Sequence, residues 1–124
     1  MSERVLFSII ESASHPKFEK LYKRLGYDER VYTSERKVIQ ALKQTPPDAV
    51  VADFLYGYGN NYAGVNISNL DVLLYSLQKY SPQCRFIALY EKSERDYIQQ
   101  FQALFPHVHC LQLPVSEEDV AAFL

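Results

Sequence analysis

The sequence predicts an α/β domain in three layers, a doubly wound (βα)5 chain whose five strands run parallel. Three observations carry that prediction. Short apolar runs alternate with segments of helical period along the whole chain. The run at 49–54, AVVADF, is apolar except for Asp53 and shows no in–out alternation, which is how a central parallel strand reads when helices cover both its faces. The chain has 124 residues, 48% of them hydrophobic, which suits one domain spanning 1–124 with a core that needs neither disulfide nor metal.

Residues 5–10 form the first apolar run, with Ser8 its one polar interruption, and are expected as strand one. Ser14 is suited to cap the first helix, with Pro16 in its first turn and Phe18, Leu21, Tyr22 and Leu25 recurring at helical spacing. Gly26 is placed to stop that helix, since a left-handed residue costs glycine nothing. Residues 30–33 read as a weak strand, suited to a sheet edge. Ser34 caps a second helix with Val38, Ala41 and Leu42 inward, and Pro46 and Pro47 end it. Strand three is 49–54. Residues 55–67 are rich in glycine and asparagine, lack a period, and read as a loop. Ser68 with Asp71 has the spacing of a capping box, followed by Leu70, Leu73, Leu74 and Leu77 as one apolar stripe. Residues 85–90 are strand four. Ser93 with Asp96 opens a fourth helix with Ile98, Phe101 and Phe105 inward. Residues 108–113 are strand five, and Ser116 with Asp119 opens a last helix that carries Val120, Phe123 and Leu124.

The totals narrow the function. Thirteen basic and 15 acidic side chains leave a formal charge of -2, so no broad basic field is available and no nucleic-acid partner is expected. The apolar stretch before Glu11 is too short for a signal peptide, and no segment reaches the length of a membrane span. No membrane association and a cytoplasmic location are the expectation. Cys84 and Cys110 each begin an apolar run and read as small buried residues.

In a parallel α/β sheet, sites lie outside the carboxyl ends of the strands. That directs attention to Ile10, Glu11, Asp53, Phe54, Tyr90, Glu91, Leu113 and Pro114. His15, His107 and His109 are scattered and read as ordinary surface or partly buried side chains rather than a metal site. GYGNNYAG, 57–64, lacks both the spacing and the lysine of a phosphate-binding loop. No nucleophile stands with a base and an orienting group, so no catalytic residue, cofactor or metal is assigned and no enzyme is expected.

Several pieces, in order, resemble the receiver domain of two-component response regulators. PDAVVADF, 47–54, is similar to the receiver segment that ends in the phosphorylated aspartate and places Asp53 there. LPVSEED, 113–119, resembles the turn holding the receiver lysine and proline, with Pro114 on the proline. RVLFSII resembles strand one, and FIALYEKSERDYI resembles strand four and its helix. The resemblance implies a flavodoxin-like, receiver-like sheet of order 2-1-3-4-5 and a role in signalling. It also marks departures. The acidic pair that holds Mg²⁺ in the family falls on Ile9 and Ile10, with Glu11 one residue late. The family hydroxyl falls on Tyr90, or with a slip on Leu89, and the family lysine falls on Leu113.

Mg²⁺ demands near-octahedral oxygen coordination, and a new phosphoryl group demands charge balance. Asp53 supplies one carboxylate, the isoleucines supply none, and Leu113 balances nothing. The expected identity is therefore a degenerate pseudo-receiver, a non-catalytic interaction domain in which Asp53 is an inactive phosphoacceptor equivalent that accepts N–H bonds from the following loop. Two alternatives stand beside it: an atypical receiver phosphorylated on Asp53 with help from Glu11, and a small flavodoxin-like enzyme or ligand-binding domain. The positive clue is aromatic. Tyr56, Tyr58 and Tyr62 crowd one loop, Tyr90 ends a strand beside it, and tyrosine is enriched at interfaces. With Phe123 in the last helix, these are the expected contacts to a protein partner or to a second copy in a homodimer.

Overall fold

The computed structural model describes residues 4–54 and 70–124. Five parallel strands form one sheet: β1 (Arg4–Ile9), β2 (Tyr27–Tyr32), β3 (Ala49–Asp53), β4 (Arg85–Tyr90) and β5 (His109–Gln112). Their order across the sheet is β2-β1-β3-β4-β5. Registers such as Leu6 beside Ala49 and Ala49 beside Arg85 keep the carboxyl ends of the central strands level. The helices α1 (Glu19–Arg24), α2 (Glu35–Leu42), α3 (Asp71–Tyr80), α4 (Arg95–Leu104) and α5 (Glu117–Ala121) fill the crossovers. This is the doubly wound receiver-like topology the sequence predicts.

Alternation along each strand divides the core in two. Phe7, Ile9, Val50, Ala52, Phe86 and Ala88 pack under α2, α3 and α4 with Val38, Leu73, Leu77 and Phe101. Leu6, Ala49, Val51, Ile87 and Leu89 face the other way, onto Leu21 and Tyr22 of α1 and Val120 of α5. Every residue of β3 is buried, so its apolar run without alternation is explained by helices on both sides. The same parity puts Asp53, two residues beyond Val51, on the α1 and α5 side of the sheet. β2 is the edge, with Val31 exposed, and its charged DER segment explains the weak pattern.

Most helix faces match the predicted stripes, but several helix starts differ. The first helix begins at Glu19, with Phe18 at its N-cap and no side-chain cap, instead of at Ser14 and Pro16. Ser12 makes a local turn that accounts for the shift: its side-chain oxygen accepts from Ser14 N–H at 3.0 Å, and its carbonyl accepts from His15 N–H at 3.2 Å. Gly26 ends α1 as expected, at φ +87°. Leu70 is the N-cap of α3, and Ser68 lies outside the described residues. Ser93 is absorbed into a 3₁₀ turn, Lys92–Glu94, so that α4 starts at Arg95 without a side-chain cap. At α5 the box is present in full: Asp119 N–H donates to Ser116 Oγ at 3.1 Å and Ser116 N–H to Asp119 Oδ2 at 3.0 Å.

The two cysteines are free and half-buried rather than fully buried. Burial pushes both thiols up to about 12, with the Asp48 carboxylate adding to the effect at Cys84. The thiolate is the reacting species, and raising the thiol's pKa depletes it at neutral pH. At pH 8 a disulfide reagent is therefore expected to label the folded chain at least about a hundredfold more slowly than the urea-unfolded chain. Equal rates would place the thiols in solvent. Val51, fully buried between β1 and β4, gives a second check. Val51→Ala is expected to lower stability by about 1–3 kcal/mol in urea unfolding, from lost transfer and the cavity left behind.

Candidate functional site

The carboxyl ends of β1 and β3 meet in the centre of the sheet, and Asp53 closes β3 there with 1% of its surface exposed. A carboxylate so placed has lost its water and must find donors within the chain. Two come from the loop after β1. Glu11 N–H donates to Asp53 Oδ2 at 2.8 Å. His15 Nδ1 lies 3.0 Å from Asp53 Oδ1, with both side chains almost wholly buried. Because a carboxylate accepts only, the proton of this bond sits on Nδ1 of the imidazole. The other ring nitrogen, Nε2, is buried and has no hydrogen-bond partner among the described residues.

The loop is held from both ends. Ile10 N–H donates to Tyr32 C=O at 2.8 Å, extending the β1–β2 ladder by one residue. The Ser12 turn then carries His15 back over the end of β3, and α1 begins at Glu19. Two oxygens of one carboxylate are thereby tied to two points of one loop.

The other described positions singled out at the strand ends are used in packing. Ile9 is fully buried in the larger core cluster. Leu113 is buried in the smaller one, just past β5, and is joined to Pro114 by a cis peptide. Tyr90 ends β4, packs half-buried against the larger cluster, and its C=O accepts from Leu113 N–H at 2.8 Å. Asp53 itself is in register with Leu89. Among the described residues no three His, Cys, Asp or Glu side chains gather as a metal-binding group. A cation at this carboxylate would have to displace the imidazole or the backbone N–H from one of its oxygens, since both oxygens accept a nitrogen donor.

The residues singled out in the sequence come together only in part. Asp53 and the backbone of Glu11 meet. Phe123 lies far along the chain from them, half-buried against the smaller cluster, with its ring stacked on His109 at 4.1 Å between centroids. Tyr56, Tyr58 and Tyr62, with the whole loop 55–67, lie outside the described residues. Two donors to Asp53 come from the loop after β1; the loop after β3, from which the sequence expected N–H donors, lies outside the described residues. His15 was read in the sequence as an ordinary surface or partly buried side chain, and in the structure it is buried and bonded to Asp53. Its place four residues past Glu11 put it near the functional end of the sheet, but nothing along the chain marked the contact with Asp53, 38 residues away.

A second buried polar group lies on the same side of the sheet. Ser8 Oγ, in the middle of β1, donates to Glu29 Oε2 at 2.5 Å. Burial, with the Glu29 carboxylate adding to it, pushes the neighbouring Tyr22 phenol up. Its hydroxyl has no partner among the described residues.

The Asp53–His15 bond has a measurable consequence. Removing one side chain takes this buried hydrogen bond from the other, so His15→Ala and Asp53→Ala are each expected to cost about 1–3 kcal/mol in urea unfolding. The double variant is expected to cost less than the sum. Strict additivity would show that the two side chains do not interact.

No protein-family model matches the chain, and no curated protein matches it. Solved structures do. A response regulator receiver protein from Sinorhizobium medicae superposes with a TM-score of 0.69 at 15% identity, over 98% of this chain and 90% of its own. A response regulator receiver domain protein from Clostridium thermocellum gives 0.67 at 16% identity, over 96% of this chain and 89% of its own. Full-length FixJ from B. japonicum gives 0.69 at 14% identity, with 98% of this chain matching 56% of that one. The chain has the fold of response-regulator receiver domains.

Proposed function

We propose that this chain is a receiver-like regulatory domain that acts by binding protein and does not take up phosphate at Asp53. One observation carries the reading: both oxygens of the Asp53 carboxylate are engaged, one by His15 Nδ1 and the other by Glu11 N–H. An aspartate that accepts a phosphoryl group must present an oxygen as nucleophile, in line with the leaving group, and the incoming charge must be neutralised. Here the oxygen that would attack is held by a buried imidazole. The strand-one positions that would hold Mg²⁺ are isoleucines, and a leucine stands where a lysine would balance charge.

The pair replaces the donors that a metal and a lysine would otherwise give to a buried carboxylate. On this reading Asp53 is structural, pinning the β1–α1 loop to the end of the sheet. What is left for the domain to do is to present surface. The receiver fold supports a place in signal transduction, and we place that role in the cytoplasm. Among the described residues no helix is long and apolar enough to cross a membrane.

Intact-mass spectrometry after incubation with acetyl phosphate and Mg²⁺ tests the proposal. The expected result is an unchanged mass for the wild-type chain and for Asp53→Asn. A phosphoryl adduct on the wild type that disappears in Asp53→Asn would overturn it.

A further inference from the structure

Among the described residues four large apolar side chains are exposed, Val31 on β2, Leu104 on α4 and two neighbours on α3. Val72 and Tyr75 of α3 are 46% and 54% exposed. With Lys79 they stand at i, i+3 and i+7, one face of the helix. This face is the wall of a groove of about 350 Å³ whose other wall is α2, through Ile39 and Lys43. Tyr80 lines the groove as well, with the Lys79 ammonium 5.4 Å over its ring. Tyr75 is held on its inner side by an edge-on contact with Phe105, 5.3 Å between centroids, so its outer face is presented rather than loose.

The groove is polarised. α2 and α3 lie on the same side of the sheet and both return antiparallel to the strands, so their carboxyl ends share one end of the groove. Lys43 caps α2 and Lys79 lies in the last turn of α3, which places both cations at that end. Ile39, Val72 and Tyr75 occupy the rest. Among the described residues no carboxylate lines the groove. The span from Val72 to Lys79 is about 10 Å at the helical rise, two turns of a partner helix.

We propose that this groove docks an acidic amphipathic helix of a partner protein. The partner's apolar residues, at i and i+3 or i+4, would seat on Ile39, Val72 and Tyr75. Carboxylates about two turns further along would meet Lys43 and Lys79. Two packed helices offering apolar ridges suit a third helix laid between them. The net charge of the domain is -2, so this local cationic end is what selects an acidic segment over a basic one. The inference gives a partner class to the binding role proposed above, and it does not depend on the state of Asp53.

The experiment uses the whole ¹⁵N-labelled chain and two synthetic helical peptides. Both carry leucine at i, i+3, i+4 and i+7; one has glutamates at the flanking positions and its twin has lysines. The glutamate peptide is expected to bind saturably, to shift the amides of Ile39, Lys43, Val72, Tyr75 and Lys79, and to weaken with salt. The lysine peptide is expected to bind at least tenfold more weakly, and Lys43→Glu with Lys79→Glu to reverse the preference. Should that pair fail to fold, Lys43→Gln with Lys79→Gln is expected to abolish the preference instead. Equal binding of the two peptides, no saturable binding, shifts confined to other surfaces, or a preference that survives the lysine substitutions would overturn the proposal. So would sedimentation showing a dimer of the chain that Tyr75→Ala dissolves, since a second copy would then be the occupant. His15→Ala is expected to leave peptide binding unchanged, so failure here and failure of the Asp53 reading are separable.

Discussion

A carboxylate stands at the end of a strand whose two faces are both covered, and its need for hydrogen-bond donors shapes the functional end of this domain. Asp53 cannot reach bulk water, and the neighbours that would compensate it with charge are isoleucine and leucine. The chain meets the need with the loop that follows β1. That loop gives up a helical turn, folds around Ser12 and delivers Glu11 N–H and the His15 ring to the two carboxylate oxygens. The late start of α1 follows from the same requirement.

This arrangement ties the loop after β1 to the end of β3. In a receiver-like sheet, the strand ends are where chemistry would take place, because side chains from separate strands converge there. Here they converge on one another. One exposed apolar pair lies elsewhere, on the outer face of α3 beside α2, where Tyr75 and Val72 stand with two lysines. On the proposed reading, a domain whose strand-end aspartate is held within the chain works by recognition.

Much of the fold was legible in the residues. The AVVADF run identified the central strand because parallel strands covered on both sides have no polar face to show. The stripes Leu73, Leu74, Leu77 and Ile98, Phe101 followed from helical period alone. Helix starts were less legible. Ser116 with Asp119 formed its box, but Ser14 and Ser93 did not cap, since local turns claimed the same groups. β2 read short because an edge strand needs only some apolar positions: Asp28 and Arg30 face water, and Glu29 turns in toward Ser8. At the site, Asp53 was visible by its place at a strand end. His15 was not, because a histidine's burial is decided by what it faces across the sheet, and pattern along the chain carries no record of a contact 38 residues away.

The claim on which the account rests is that the His15 imidazole donates from Nδ1 to Asp53 inside the protein. Nitrogen-detected NMR of ¹⁵N-histidine-labelled chain reads this directly. The account predicts that His15 carries its proton on Nδ1, that this N–H exchanges with water far more slowly than those of His107 and His109, and that the slow exchange is lost in Asp53→Ala. An Nδ1 without a proton, or a His15 ring exchanging as fast as the two exposed histidines, would contradict it.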